Sequence, residues 1–69
     1  MLKVAQFCKK YGLVMMIDFI PITDIVVIAF YSTNRHETHT IETNIEAMVD
    51  PKFEDFLLKQ VMEEMKLSY

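Results

Sequence analysis

Apolar positions change period along the chain. Val4, Phe7, Cys8 and Tyr11 stand at i, i+3, i+4 and i+7, the spacing of one helix face. Lys9 and Lys10 follow in what would be the last turn, where cations complement the helix dipole. Gly12 comes next, at the position where a left-handed residue usually closes a helix. The pattern predicts a helix over 2–11.

From Leu13 the helical period disappears. Leu13 to Ile20 reads as a strand, Pro21-Ile22-Thr23-Asp24 as a turn with proline presetting the backbone, and Ile25 to Tyr31 as a second strand. This second strand is apolar at every position, the mark of a strand covered on both faces. By length alone Leu13–Tyr31 could cross a bilayer, but Asp18, Pro21 and Asp24 interrupt it at a cost lipid does not readily accept. Ser32-Thr33-Asn34-Arg35 makes another turn, and His36 to Glu42 a third strand with alternate threonines. Turns this short predict an antiparallel meander with Ile25–Tyr31 in the centre. Asp50 before Pro51 predicts a helix start, and Phe53, Leu57, Leu58, Val61, Met62 and Met65 supply its apolar stripe. Thr43-Asn44-Ile45-Glu46 matches capping-box spacing, so a helical turn is expected ahead of the main helix. The expected fold is α+β: helix, three-stranded antiparallel meander, helix, with both helices on one face, forming a single domain over residues 1–69.

Even-length turns assign the two faces. Leu13, Met15, Ile17, Phe19, Val26, Ile28, Phe30, His39 and Ile41 should lie under the helices. The opposite face collects Val14, Met16, Asp18, Ile20, Ile25, Val27, Ala29, Tyr31, His36, Thr38, Thr40 and Glu42. Two short helices cover one face of such a sheet, so the second should stand open. Its apolar side chains sum to roughly 400–500 Å², near the largest patch normal on a soluble monomer. Val14, Met16, Asp18, Ile20, Ile25, Val27, Ala29, Tyr31, Thr38 and Thr40 are therefore the expected protein interface, with a homodimer the first expectation and a host protein the second. Leu13–Ile20 is also an edge strand whose single charge is Asp18, which allows sheet pairing between chains.

Size limits what the chain does alone. At 69 residues the hydrophobic gain and the ordering cost nearly cancel, so association would add useful stability. A content of 52% hydrophobic and 25% charged residues describes an ordered chain. Cys8 is the lone cysteine, which excludes an internal disulfide and fits a reducing cytoplasm. Its place on the helix stripe predicts a packed thiol. The net charge of −3 divides into +2 over residues 1–35 and −5 over residues 36–69. That balance argues against broad phosphate binding. The alternative is a small nucleic-acid-binding regulator using Lys3, Lys9, Lys10 and Arg35 as a local basic patch.

Chemistry is hard to assemble. One glycine excludes a phosphate-binding loop. Ser32 and Ser68 lack a base and oxyanion donors at motif spacing. Asp18 interrupts an apolar strand, which ordinary surface polarity explains. His36 and His39, three apart on a strand, would point to opposite faces and could not chelate one ion. No enzyme, cofactor or metal is expected. The acids Glu54, Asp55, Glu63 and Glu64 form an acidic surface whose simplest role is solubility and whose sharper role is competition for a basic groove.

The helix–three strands–helix order is similar to that of double-stranded-RNA-binding domains. Those carry lysines at the start of the last helix, where this chain reads Asp50-Pro51-Lys52-Phe53-Glu54-Asp55, so their phosphate contacts are not expected here. The run Phe7-Cys8-Lys9-Lys10-Tyr11-Gly12-Leu13, with Ile20-Pro21-Ile22-Thr23-Asp24 leading into an apolar strand, resembles small uncharacterised proteins of bacteriophages and prophages. That resemblance implies an anti-defence role, such as that of anti-CRISPR proteins, exercised in the cytoplasm of a bacterial host by blocking a nuclease.

Overall fold

A computed structural model describes residues 2–67. Helix α1 (Leu2–Tyr11) ends at Gly12, whose φ of +66° supplies the left-handed closure. Strands β1 (Leu13–Ile20), β2 (Ile25–Ser32) and β3 (Glu37–Asn44) form one antiparallel sheet in the order β1-β2-β3. Helices α2 (Ile45–Met48) and α3 (Phe53–Glu64) complete the described chain. This is the α+β meander with a helical layer on one face that the residue pattern predicts.

The register follows from turn length. Leu13 opposes Ser32, Ile17 opposes Ile28, and Ile28 opposes Ile41 in turn. Val26, Ile28 and Phe30 of β2 are fully buried, packed with Val4 and Phe7 of α1 and with Phe53, Leu57 and Val61 of α3. The i, i+4, i+8 spacing of those α3 residues places them on one stripe, and Met65 extends it past the helix end. Polar contacts lock the helical layer. The Val4 amide, one of the orphan donors at the start of α1, donates to Glu54 Oε2 of α3 at 2.9 Å. Lys3 pairs with Asp55 at 3.1 Å alongside it.

Helix α3 closes in a Schellman arrangement. The Leu67 amide donates to the Met62 carbonyl at 3.0 Å and the Lys66 amide to Glu63 at 3.4 Å, with Lys66 at φ +53°. Arg35, from the β2–β3 turn, donates from Nη1 to the Met65 carbonyl at 2.7 Å and from Nη2 to Glu37 at 3.2 Å. One guanidinium thus clips the turn to the end of α3.

Several boundaries differ from the sequence pattern. β3 spans Glu37–Asn44, not 36–42, because His36 adopts φ +53° and belongs to the turn, its amide donating to the Ser32 carbonyl at 3.0 Å. His36 is therefore not on the outer sheet face. Pro21–Thr23 is a turn of 3₁₀ helix closed by Asp24 in left-handed conformation, and the Asp24 backbone amide, not its carboxylate, makes the closing bond. The cap of α2 is Asn44, one residue later than the capping box suggests, with Oδ1 accepting from the Ala47 amide at 2.8 Å. α3 begins at Phe53, not at Pro51. The Asp50 carboxylate accepts from the Lys52 amide at 2.8 Å, a local turn that competes with helix initiation at that point.

Phe19 departs most from expectation. It faces the helix side of the sheet yet is 58% exposed. The cause is length. α1 has 10 residues and reaches about 15 Å, whereas the 8 residues of β1 extend about 26 Å. The helix runs out before the strand does.

Candidate protein interface

Alternation along three strands builds the outer face as four rows. They read Val14–Tyr31–Thr38, Met16–Ala29–Thr40, Asp18–Val27–Glu42 and Ile20–Ile25–Asn44. All ten expected interface residues share this face, on which no helix of the described residues packs. Its exposure is graded. Val14, Met16 and Ile20 on β1 are 48%, 55% and 43% exposed, and the central Ile25, Val27, Ala29 and Tyr31 are half-buried between their neighbours. Thr38, Thr40 and Glu42 make the β3 side polar. The face therefore has an apolar half over β1 and β2 and a hydrogen-bonding half over β3, with Asp18 and Glu42 flanking Val27. Tyr31 Oη lies 3.2 Å from His36 Nδ1, which closes the row at the β2–β3 turn.

The apolar surface continues around the end of β1. Phe19 is exposed on the helix side, and Ile22, in the connecting turn, is almost wholly exposed. The face pattern places Phe19 in the core and gives no weight to a lone turn isoleucine, so neither is found from alternation. A comparison of helix and strand lengths would have found Phe19.

Other candidate chemistry is used internally. Glu54 serves the start of α1, Asp55 pairs with Lys3, Glu64 lies 3.7 Å from His39, and Glu63 lines a groove along α3. Glu37 stands 3.9 Å from the other ring nitrogen of His39. His39 lies on the helix side and His36 in the turn, and among the described residues no group of three or more metal-ligating side chains is assembled. Ser32 is buried and its Oγ accepts from the Arg35 amide at 3.2 Å. Ser68 lies outside the described residues. Cys8 packs against the core, and burial pushes its thiol up from the ordinary range. Among the basic residues, Arg35 is held by Met65 and Glu37, and Lys3 by Asp55 at the opposite end of α1 from Lys9 and Lys10.

A cavity of about 520 Å³ lies elsewhere, as an open groove along α3 lined by Leu58, Met62 and Leu67 with Asp55, Lys59, Glu63 and Lys66. No helix among the described residues is long and apolar enough to cross a membrane. Comparisons with protein-family models, with curated proteins and with solved structures return no match.

Proposed function

We propose that this chain acts by binding protein, as a homodimer whose open sheet face receives a partner, and that it performs no chemistry of its own. The observation that carries this is the exposed apolar half of the outer face, with Val14, Met16 and Ile20 standing clear of any helix. Covering roughly 400–500 Å² of such surface at about 25 cal/mol per Å² offers on the order of 10 kcal/mol gross, before association costs reduce it. The matching partner surface is an apolar strip bordered by basic or hydrogen-bond-donating groups, since Asp18 and Glu42 flank Val27. A phage-type inhibitor of a host nuclease is one bearer of this chemistry, because nuclease grooves are basic. It rests on the sequence resemblance.

The nucleic-acid alternative has less support, because two of its four cations already have partners within the chain, Lys3 with Asp55 and Arg35 with the Met65 carbonyl and Glu37.

Light scattering of the wild type beside Met16→Lys tests the reading. The wild type is expected to exceed monomer mass at tens of micromolar and the variant to fall to it. A wild type of monomer mass, indistinguishable from the variant, would end the self-association half. A Met16→Lys/Val27→Lys variant that keeps every purified protein partner of the wild type would end the other.

A further inference from the structure

The outward edge of β1 has a readable hydrogen-bond phase. Gly12 and Thr33 lie one step beyond the Leu13–Ser32 pair, and the Thr33 amide donates to the Gly12 carbonyl at 3.4 Å. Hydrogen-bonded and non-hydrogen-bonded pairs alternate along an antiparallel ladder. Val14, Met16, Asp18 and Ile20 therefore exchange bonds with β2, while Leu13, Met15, Ile17 and Phe19 turn their amides and carbonyls away from it.

From this edge we infer that two copies of the chain pair antiparallel along β1, about a two-fold axis at Met16, into one six-stranded sheet. The inference rests on the protein-binding reading and names its first partner. A two-fold perpendicular to the sheet keeps like faces together, so paired residue numbers must add to an even sum. Centring on Met16 pairs Leu13 with Phe19 and Met15 with Ile17 of the second copy, so all four outward residues find partners. Centring on Ile17 would match Leu13 with Pro21, which has no amide to give. Centring on Asp18 would oppose two carboxylates, which repel. The Met16 register instead sets each Asp18 opposite Val14 of the other copy. It also brings each exposed Phe19 opposite Leu13 of the other copy, near the end of α1, covering the apolar surface that the short helix leaves bare. β3 cannot offer the same, since Glu37 and Glu42 on an edge discourage pairing. The outer faces of both copies remain open and merge into one surface twice as wide.

Disulfide trapping in a Cys8→Ser background tests the register. A non-hydrogen-bonded pair has Cα atoms about 4.5 Å apart, within disulfide reach. Met16→Cys should oxidise to a covalent dimer and Val14→Cys alone should not, whereas Val14→Cys mixed with Asp18→Cys should. Phe19→Pro removes an outward amide without touching the β1–β2 ladder, and should weaken dimerisation at least about tenfold while Val27→Lys does not. Trapping of Met16→Cys and of the mixed Val14→Cys and Asp18→Cys pair but not of Val14→Cys alone, with that sensitivity, supports the pairing. A wild-type dimer broken by Val27→Lys but indifferent to Phe19→Pro, with no mixed Val14–Asp18 crosslink, overturns it in favour of face-to-face packing and leaves the protein-binding reading standing. A monomeric wild type overturns it too.

Discussion

β1 and β3 flank the same central strand, are eight residues long each, and both expose a backbone edge, yet they are built on opposite principles. Every residue of β1 except Asp18 is apolar. β3 has a single apolar residue, Ile41, which points inward opposite Ile28. The polar groups of β3 are tied into the fold: Glu37 to Arg35, His39 near Glu64, and Asn44 to the α2 amide it caps. β1 is held by packing against α1 and by the tight turn at Gly12. Natural sheets protect an edge by charging it or covering it. Here one edge is protected and the other is not, so any association should be one-sided.

The centre that both edges share gives the largest expected effect. Ile28 is fully buried and lies between Ile17 and Ile41, one from each edge. Ile28→Ala should cost about 2–5 kcal/mol, the range for such truncations in a packed core. In a domain this small that should abolish most of the cooperative unfolding transition seen by circular dichroism in urea. A midpoint shift equivalent to less than about 1 kcal/mol would mean that the layer collapses around the gap, and that the two edges do not depend on a common core.

An intermediate effect separates the attachments. Gly12 sits at φ +66°, and a Cβ there would stand 3.3 Å from Asn34 Nδ2. Gly12→Ala should cost about 1–2 kcal/mol through the left-handed backbone alone. Because Gly12 joins α1 to β1, amide exchange should accelerate in β1 before β3. Uniform acceleration would show that β1 has no local opening of its own, and the contrast drawn between the edges would fail.

What could be read from residues alone divides along the same line. α1, its glycine stop, the β1–β2 register and the face assignment of all three strands were legible because each rests on a local period or a turn length. The turn expected at Ser32–Arg35 would set Tyr31 opposite His36, and Thr38 stands there instead. The open face followed from counting helices against sheet faces. Phe19 was not legible from alternation, because exposure there depends on where α1 ends relative to β1. The starts of β3 and α3 were missed because His36 and Asp50 make local turns that compete with the elements they adjoin. The roles of Glu54 and Arg35 as ties between elements depend on contacts distant in sequence, which no periodicity encodes.

The smallest change in stability should bring the clearest change in association. Met16 and Thr40 both oppose Ala29, from opposite sides on the outer face. Exchanging them, Met16→Thr with Thr40→Met, preserves composition, charge and core. Surface substitutions of this kind stay within about ±0.5 kcal/mol, so the unfolding midpoint should barely move. Association should nonetheless fall: the proposed β1 contact weakens as its central apolar side chain goes, while β3 gains an adaptable one beside charges that still discourage pairing. Sedimentation of the double variant against each single substitution reads this directly, with Met16→Thr carrying the loss and Thr40→Met restoring little. Full recovery of dimer by Thr40→Met would show that apolar area on the face governs association whatever its edge. The polar character of β3 would then be incidental, and the asymmetry between the two edges would have no functional meaning.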